Sequence, residues 1–131
     1  MGQQQLLLLI LSAVIVGVAI VMGINMFAEN AGQANQDAVM QDVLTIASRA
    51  QAWYRRPVEL GGGGRTYVGM TLVDLNFDAA NDNGTYALSG NTATAVTITG
   101  IGTENPDGIG ANLTVAVNAG ADTVGAANIT Q

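Results

Sequence analysis

The sequence predicts an α+β chain: one long N-terminal helix, apolar in its first half and amphipathic in its second, carrying a small antiparallel β-sheet head. Three observations lead there. Residues 6–28, LLLLILSAVIVGVAIVMGINMFA, contain no charged residue, and all fourteen charges lie from Glu29 onward. No proline interrupts the chain before Pro57. Beyond residue 60 the composition shifts to Gly, Thr, Asn and Ala, with β-branched residues in short runs. The expected division is a helix over residues 1–56 and a β-rich head over 57–131.

The apolar run is long enough to cross a bilayer: twenty-three residues at about 1.5 Å per residue span roughly 35 Å. A cleaved secretory signal fits it poorly, because the run is long and no basic region precedes it. An ordinary single-pass anchor usually carries Lys or Arg on its cytoplasmic flank, whereas the first cation here is Arg49.

The pattern then continues as a helix. Val39, Met40, Val43, Leu44, Ile46, Ala47, Ala50, Trp53 and Tyr54 recur at three- and four-residue spacing, which gives one apolar stripe. Asp37, Gln41, Asp42, Ser48, Arg49 and Gln51 lie between them. The stripe residues Val39, Val43, Ile46, Ala50, Trp53 and Tyr54 are the expected seat of the head. Pro57 disfavours helical geometry in the residue before it, so the helix should end near Arg55 and Arg56, which also complement the helix dipole. A helix of some fifty residues is far longer than globular domains use.

In the head, residues 66–68, 71–75, 85–88, 94–101, 112–117 and 123–129 are rich in β-branched side chains and read as strands. The clearest alternation is at 95–99, where Val96 and Ile98 face one side; Leu113, Val115 and Val117 repeat it. Asn83-Gly84 and Asp107-Gly108 read as turns. The four glycines at 61–64 read as a flexible connector that lets the chain change direction, and without a following Lys they make a poor phosphate loop.

Composition excludes several functions. The net charge is −6 with four Arg, no Lys and no His, so the cationic surface that nucleic acid requires is missing. Absence of Cys removes disulfides, thiolate metal sites and haem attachment. Absence of His removes the commonest general base and metal ligand. Asp74, Asp78 and Asp82 lack the ligand alternation of a Ca²⁺ loop and read as a solvated acidic segment. No catalytic, cofactor-binding or metal-binding residue is assigned, and the chain is expected not to be an enzyme. Asn83, Asn112 and Asn128 each begin an Asn-X-Thr triplet and are candidate glycan acceptors on an exported surface.

Gly2 followed by Gln3-Gln4-Gln5, the apolar run at 6–28 and the stripe at 39–54 together resemble a type IV pilin over about the first 56 residues. The resemblance implies a structural subunit whose precursor sits in the membrane. It further implies a leader trimmed by a prepilin peptidase, a methylated N-terminus, and delivery by a pilus assembly machinery to an extracellular homopolymeric filament. Met1, Gly2 and Gln3 are the candidate processing residues, and a chain that reaches Met1 favours that residue as the mature start or an unprocessed chain. The filament core would be packed by Leu6, Leu7, Leu9, Ile10, Ala13, Gly17, Ala19, Ile20 and Gly23. Two pairs in that set, Ala13/Gly17 and Ala19/Gly23, have the four-residue spacing that lets helix backbones approach.

Two features depart from the bacterial pattern. The acidic residue at the fifth mature position is replaced by Gln5 or Leu7, depending on the cleavage register, and the helix-breaking proline is missing. Archaeal pilins commonly lack that acid. A pseudopilin of a secretion system and a membrane-anchored binding module are the alternative readings.

Overall fold

The computed structural model describes residues 2–103, 114–120 and 123–130. A single helix, α1, runs from Gly2 to Arg55. Among the described residues four strands follow, β1 (Gly84–Ser89), β2 (Ala95–Gly102), β3 (Thr114–Gly120) and β4 (Asn128–Thr130), in one sheet of order β1-β2-β3-β4 with every pairing antiparallel. The fold is α+β, a long helix with a small sheet laid on its second half.

The 54 residues of α1 correspond to a rod of about 80 Å. It ends where Pro57 requires, and the glycines beyond it do the capping. The last carbonyls of a helix have no partner within it. Here Gly63 N–H donates to Trp53 O (2.9 Å), Gly64 N–H to Arg56 O (3.0 Å) and Arg65 N–H to Tyr54 O (2.8 Å). A single 3₁₀ turn, Val58–Leu60, lies inside this hairpin. The stretch expected to be a loose connector is therefore tied to the helix end. At Gly63 a Cβ would run into the Trp53 ring and the Thr66 carbonyl, so only glycine lets the turn lie flat on the indole.

The stripe on α1 buries Val39, Val43, Ile46, Ala47, Ala50 and Trp53, with Tyr54 packed at its edge. Leu44, expected in the stripe, is 43% exposed, and Met40 is half-buried; both lie at the margin of the face the sheet covers. On β2, Val96, Ile98, Gly100 and Gly102 point inward, as the alternation predicts, and on β1 Gly84 and Tyr86 do the same. A Cβ on Gly100 would stand 2.8 Å from both Val39 Cγ1 and Val43 Cγ2. The absence of a side chain there lets the sheet approach the helix that closely.

Two expected strands are not formed. Residues 66–68 and 71–75 are turns and irregular chain, with Asp74 accepting hydrogen bonds from the Thr71 amide (2.9 Å) and hydroxyl (2.8 Å). The segment is nevertheless core-forming, since Tyr67, Met70 and Leu75 are buried. The strand expected at 123–129 is shorter and later: β4 covers Asn128–Thr130, and Val124 contributes only an isolated bridge to Ala119. The turn read at Asn83-Gly84 falls slightly earlier, because Gly84 already belongs to β1. Residues 107, 108, 112 and 113 lie outside the described residues, as do the side chains of Val115 and Val117.

Candidate functional site

The most distinctive surface is the first half of α1. Every residue from Gly2 to Ala31 is exposed, including Leu6, Leu7, Leu9, Ile10 and Ile20 at 57–68%. Phe27, at the end of the run, is 81% exposed. Twenty-odd apolar residues without a polar face constitute far more exposed apolar surface than a soluble monomer tolerates. The helix is long and apolar enough to cross a membrane. Ala13 and Ala19 are exposed, and a Cβ added at Gly17 or Gly23 would meet nothing within 4 Å. Within one chain, then, nothing requires glycine at those positions.

Along the second half, polar side chains flank the buried stripe and lock the head in place. Asp42 sits on α1 facing the end of β1. Its Oδ2 accepts from Asn83 Nδ2 (2.9 Å), Asn81 Nδ2 (3.0 Å) and the Tyr86 hydroxyl. Burial alone would raise the carboxyl's pKa, but the hydrogen bonds from Asn83, Tyr86 and Asn81 outweigh it and hold it below the usual carboxylate range. Tyr86 shifts the other way. Burial, and then the bond to the Asp42 carboxylate and its charge, push its hydroxyl well above the ordinary tyrosine range, so it remains a donor. Asn35 Nδ2 adds a bond to Asn83 O (2.8 Å). One carboxylate thus fixes the loop before β1 to a helix position some forty residues earlier.

Further along α1, Arg49 Nη1 donates to the carbonyls of Asn76 (2.7 Å) and Leu75 (3.3 Å), and its guanidinium lies 5.6 Å from the Phe77 ring centre. Gln51 Nε2 and the Tyr67 hydroxyl both donate to Gly120 O, at 3.1 and 2.9 Å. Tyr67 also stacks on Tyr54, centroids 4.8 Å apart. A cleft of about 270 Å³ opens beside Arg49, Trp53, Arg56, Asp74 and Asn76. The Trp53 indole Nε1, buried at the seam, has no hydrogen-bond partner among the described residues.

The structure therefore places the expected helix–head residues Val39, Val43, Ile46, Ala50, Trp53 and Tyr54 together at one seam, and leaves the apolar set of the first half unpartnered. Asp74, Asp78 and Asp82 are not gathered into a metal-binding group. Of the candidate glycan acceptors, Asn128 is exposed at the start of β4, whereas the Asn83 amide is half-buried and bonded to Asp42. Asn112 and the candidate processing residue Met1 lie outside the described residues; Gly2 and Gln3 form the exposed first turn of α1. Sequence reasoning missed Asp42, which reads as an ordinary polar residue beside the stripe, and Tyr67, an isolated aromatic in a stretch without periodicity. Compared with known proteins, the chain matches no family model, no curated protein and no solved structure.

Proposed function

We propose that the chain is the structural subunit of an extracellular type IV pilin-like filament, stored in the membrane by the first half of α1 and polymerised through it. One observation carries this reading: a helix exposed and apolar on every face over residues 6–28 continues, without a break, into the helix on which the head is built. In lipid the first half is solvated by acyl chains. Outside lipid it needs other apolar surfaces, and identical helices supply them at no cost in specificity. The partners on this reading are further copies of the chain, the membrane before assembly, and the peptidase and assembly machinery that pilin-like subunits require. No cofactor takes part.

The small residues Ala13 and Gly17 of the apolar half provide the test. Their positions are open within one chain, so Ala13→Leu and Gly17→Leu should leave folding and membrane insertion unchanged. Close packing between copies would not accommodate the added side chains, and filament yield should fall. Normal yields from both variants count against polymerisation through this face.

A further inference from the structure

The hydrogen bonds around Asp42 close over a chemically labile pair of residues. Asn83-Gly84 is the one Asn-Gly pair in the chain. Such a pair cyclises readily because glycine has no side chain to shield its backbone nitrogen. In that reaction the Gly84 nitrogen gives up its proton and attacks Asn83 Cγ. A C–N bond forms, and the Asn83 amide nitrogen leaves as ammonia, taking that proton. One water then opens the cyclic imide at either carbonyl. The product carries a carboxylate at position 83, either as aspartate or, with the main chain rerouted through Cγ, as isoaspartate. The fold nevertheless requires both residues. A Cβ on Gly84 would run into the Ile101 carbonyl of β2, and Asn83 supplies the amide that reaches Asp42.

Each group that must move in this reaction is engaged in the folded head. The leaving nitrogen, Asn83 Nδ2, donates to Asp42 Oδ2 (2.9 Å). The attacking nitrogen donates its proton to Asn81 Oδ1 (3.2 Å), and Gly84 is buried at the start of β1. The Asn83 main chain is pinned on both sides: its N–H donates to Asn81 Oδ1 (2.9 Å), and its carbonyl accepts from Asn35 Nδ2 (2.8 Å) and the Thr103 amide (3.3 Å). Attack would also build negative charge on a side chain that already touches the Asp42 carboxylate.

We infer that Asn83-Gly84 is a self-modification site that Asp42 and Asn81 keep unreacted in the folded head, and that unfolding releases it to a one-way reaction whose product cannot re-form the Asp42 contact. The modified residue has lost its donor and turns a second carboxylate toward Asp42, where like charges repel. Isoaspartate also lengthens the main chain just before β1, out of step with the pairing of Gly84 with Gly102. The head thereby keeps a covalent record of having opened. This holds whether or not the chain polymerises.

The test is the rate of modification at position 83 in the full chain in micelles, read by peptide mapping and mass spectrometry in mildly alkaline buffer. Wild type should react slowly when folded and at least roughly tenfold faster in urea, because a hydrogen bond to a charged group must open first. This comparison needs no variant. Asp42→Ala should raise the folded-state rate toward the urea rate. Asn81→Ala, which frees the Gly84 nitrogen and keeps Asp42, is read in the same way, with folding of both variants followed by amide exchange in β2. Trp53→Ala loosens the head at the other end of the helix face and leaves the Asp42 contacts in place, so its rate should rise less than that of Asp42→Ala. Asn83→Asp, the product made directly, should lower exchange protection in β2. Equal rates for wild type with and without urea, or a site inert in both, overturn the inference. So does a Trp53→Ala rate matching that of Asp42→Ala, which would make protection a matter of overall stability. Wild-type protection in Asn83→Asp would show that the product closes on Asp42 after all.

Discussion

Replacing Trp53 with alanine removes the largest side chain that α1 lends to the head. The ring is only 8% exposed, and one edge lies against Gly63 at the point where the hairpin closes over the helix end. Truncating a buried Trp generally costs about 3–5 kcal/mol, transfer and cavity terms together. One feature of this site lowers the figure. The indole N–H has no acceptor among the described residues, and an unsatisfied buried donor costs about 1–3 kcal/mol in the wild-type fold, a penalty that vanishes with the ring. Trp53→Ala should therefore fall at the lower end, near 3 kcal/mol. Trp53→Phe, which deletes the donor while keeping most of the ring, should stay within about 1 kcal/mol of wild type. Amide hydrogen exchange in β2, where Val96 and Ile98 belong to the same core, reports the change for the full chain in micelles without interference from the apolar half of α1. Unchanged protection in Trp53→Ala would refute the assignment of this face as the seam. A Phe variant as damaged as the Ala variant would show that the indole nitrogen is bonded after all.

Asp42→Asn should destabilise the head by about 1–3 kcal/mol at neutral pH, the usual worth of hydrogen bonds to a charged group, with partial exposure favouring the lower figure. Because the folded carboxyl titrates below its ordinary value, its contribution is complete above about pH 3.9 and fades as pH falls through the lower folded pKa. Acid melts of wild type should consequently steepen in that window, and those of Asp42→Asn should not; parallel curves would remove Asp42 from the account. Gly100→Ala should cost about 1–3 kcal/mol by pressing a methyl into Val39 and Val43, and an unchanged melting temperature would mean that the sheet rides higher on the helix. Gln5→Ala should assemble with at most a moderate loss of filament yield, register being set by apolar packing; complete loss, with a gain for Gln5→Glu, would give that role to the polar contact.

The helix was legible because its signals are cumulative: a charge-free run, an unbroken periodic stripe, and Pro57 to stop it. Strands β1 to β3 were legible where alternation was sustained, as at 95–99. Residues 66–68 and 71–75 differ from the expectation because β-branched content alone does not distinguish a strand from a turn; Thr71 there serves Asp74, and among the described residues no strand pairs with it. Asp42 was invisible for a different reason. Its partners Asn81, Asn83 and Tyr86 come from distant sequence, and no local pattern encodes that meeting. The hairpin glycines were recognised as permissive, but their role as caps on Trp53, Tyr54 and Arg56 depends on how the chain folds back.

The central claim is that residues 6–28 form the shared core of a polymer. The most direct measurement is helical reconstruction of filaments sheared from the cell surface, with the subunit identified by mass spectrometry. The account predicts this chain as the repeating unit, its apolar half-helices bundled at the axis and its heads outside. Filaments lacking the chain, with the protein retained as single copies in the membrane, would contradict it.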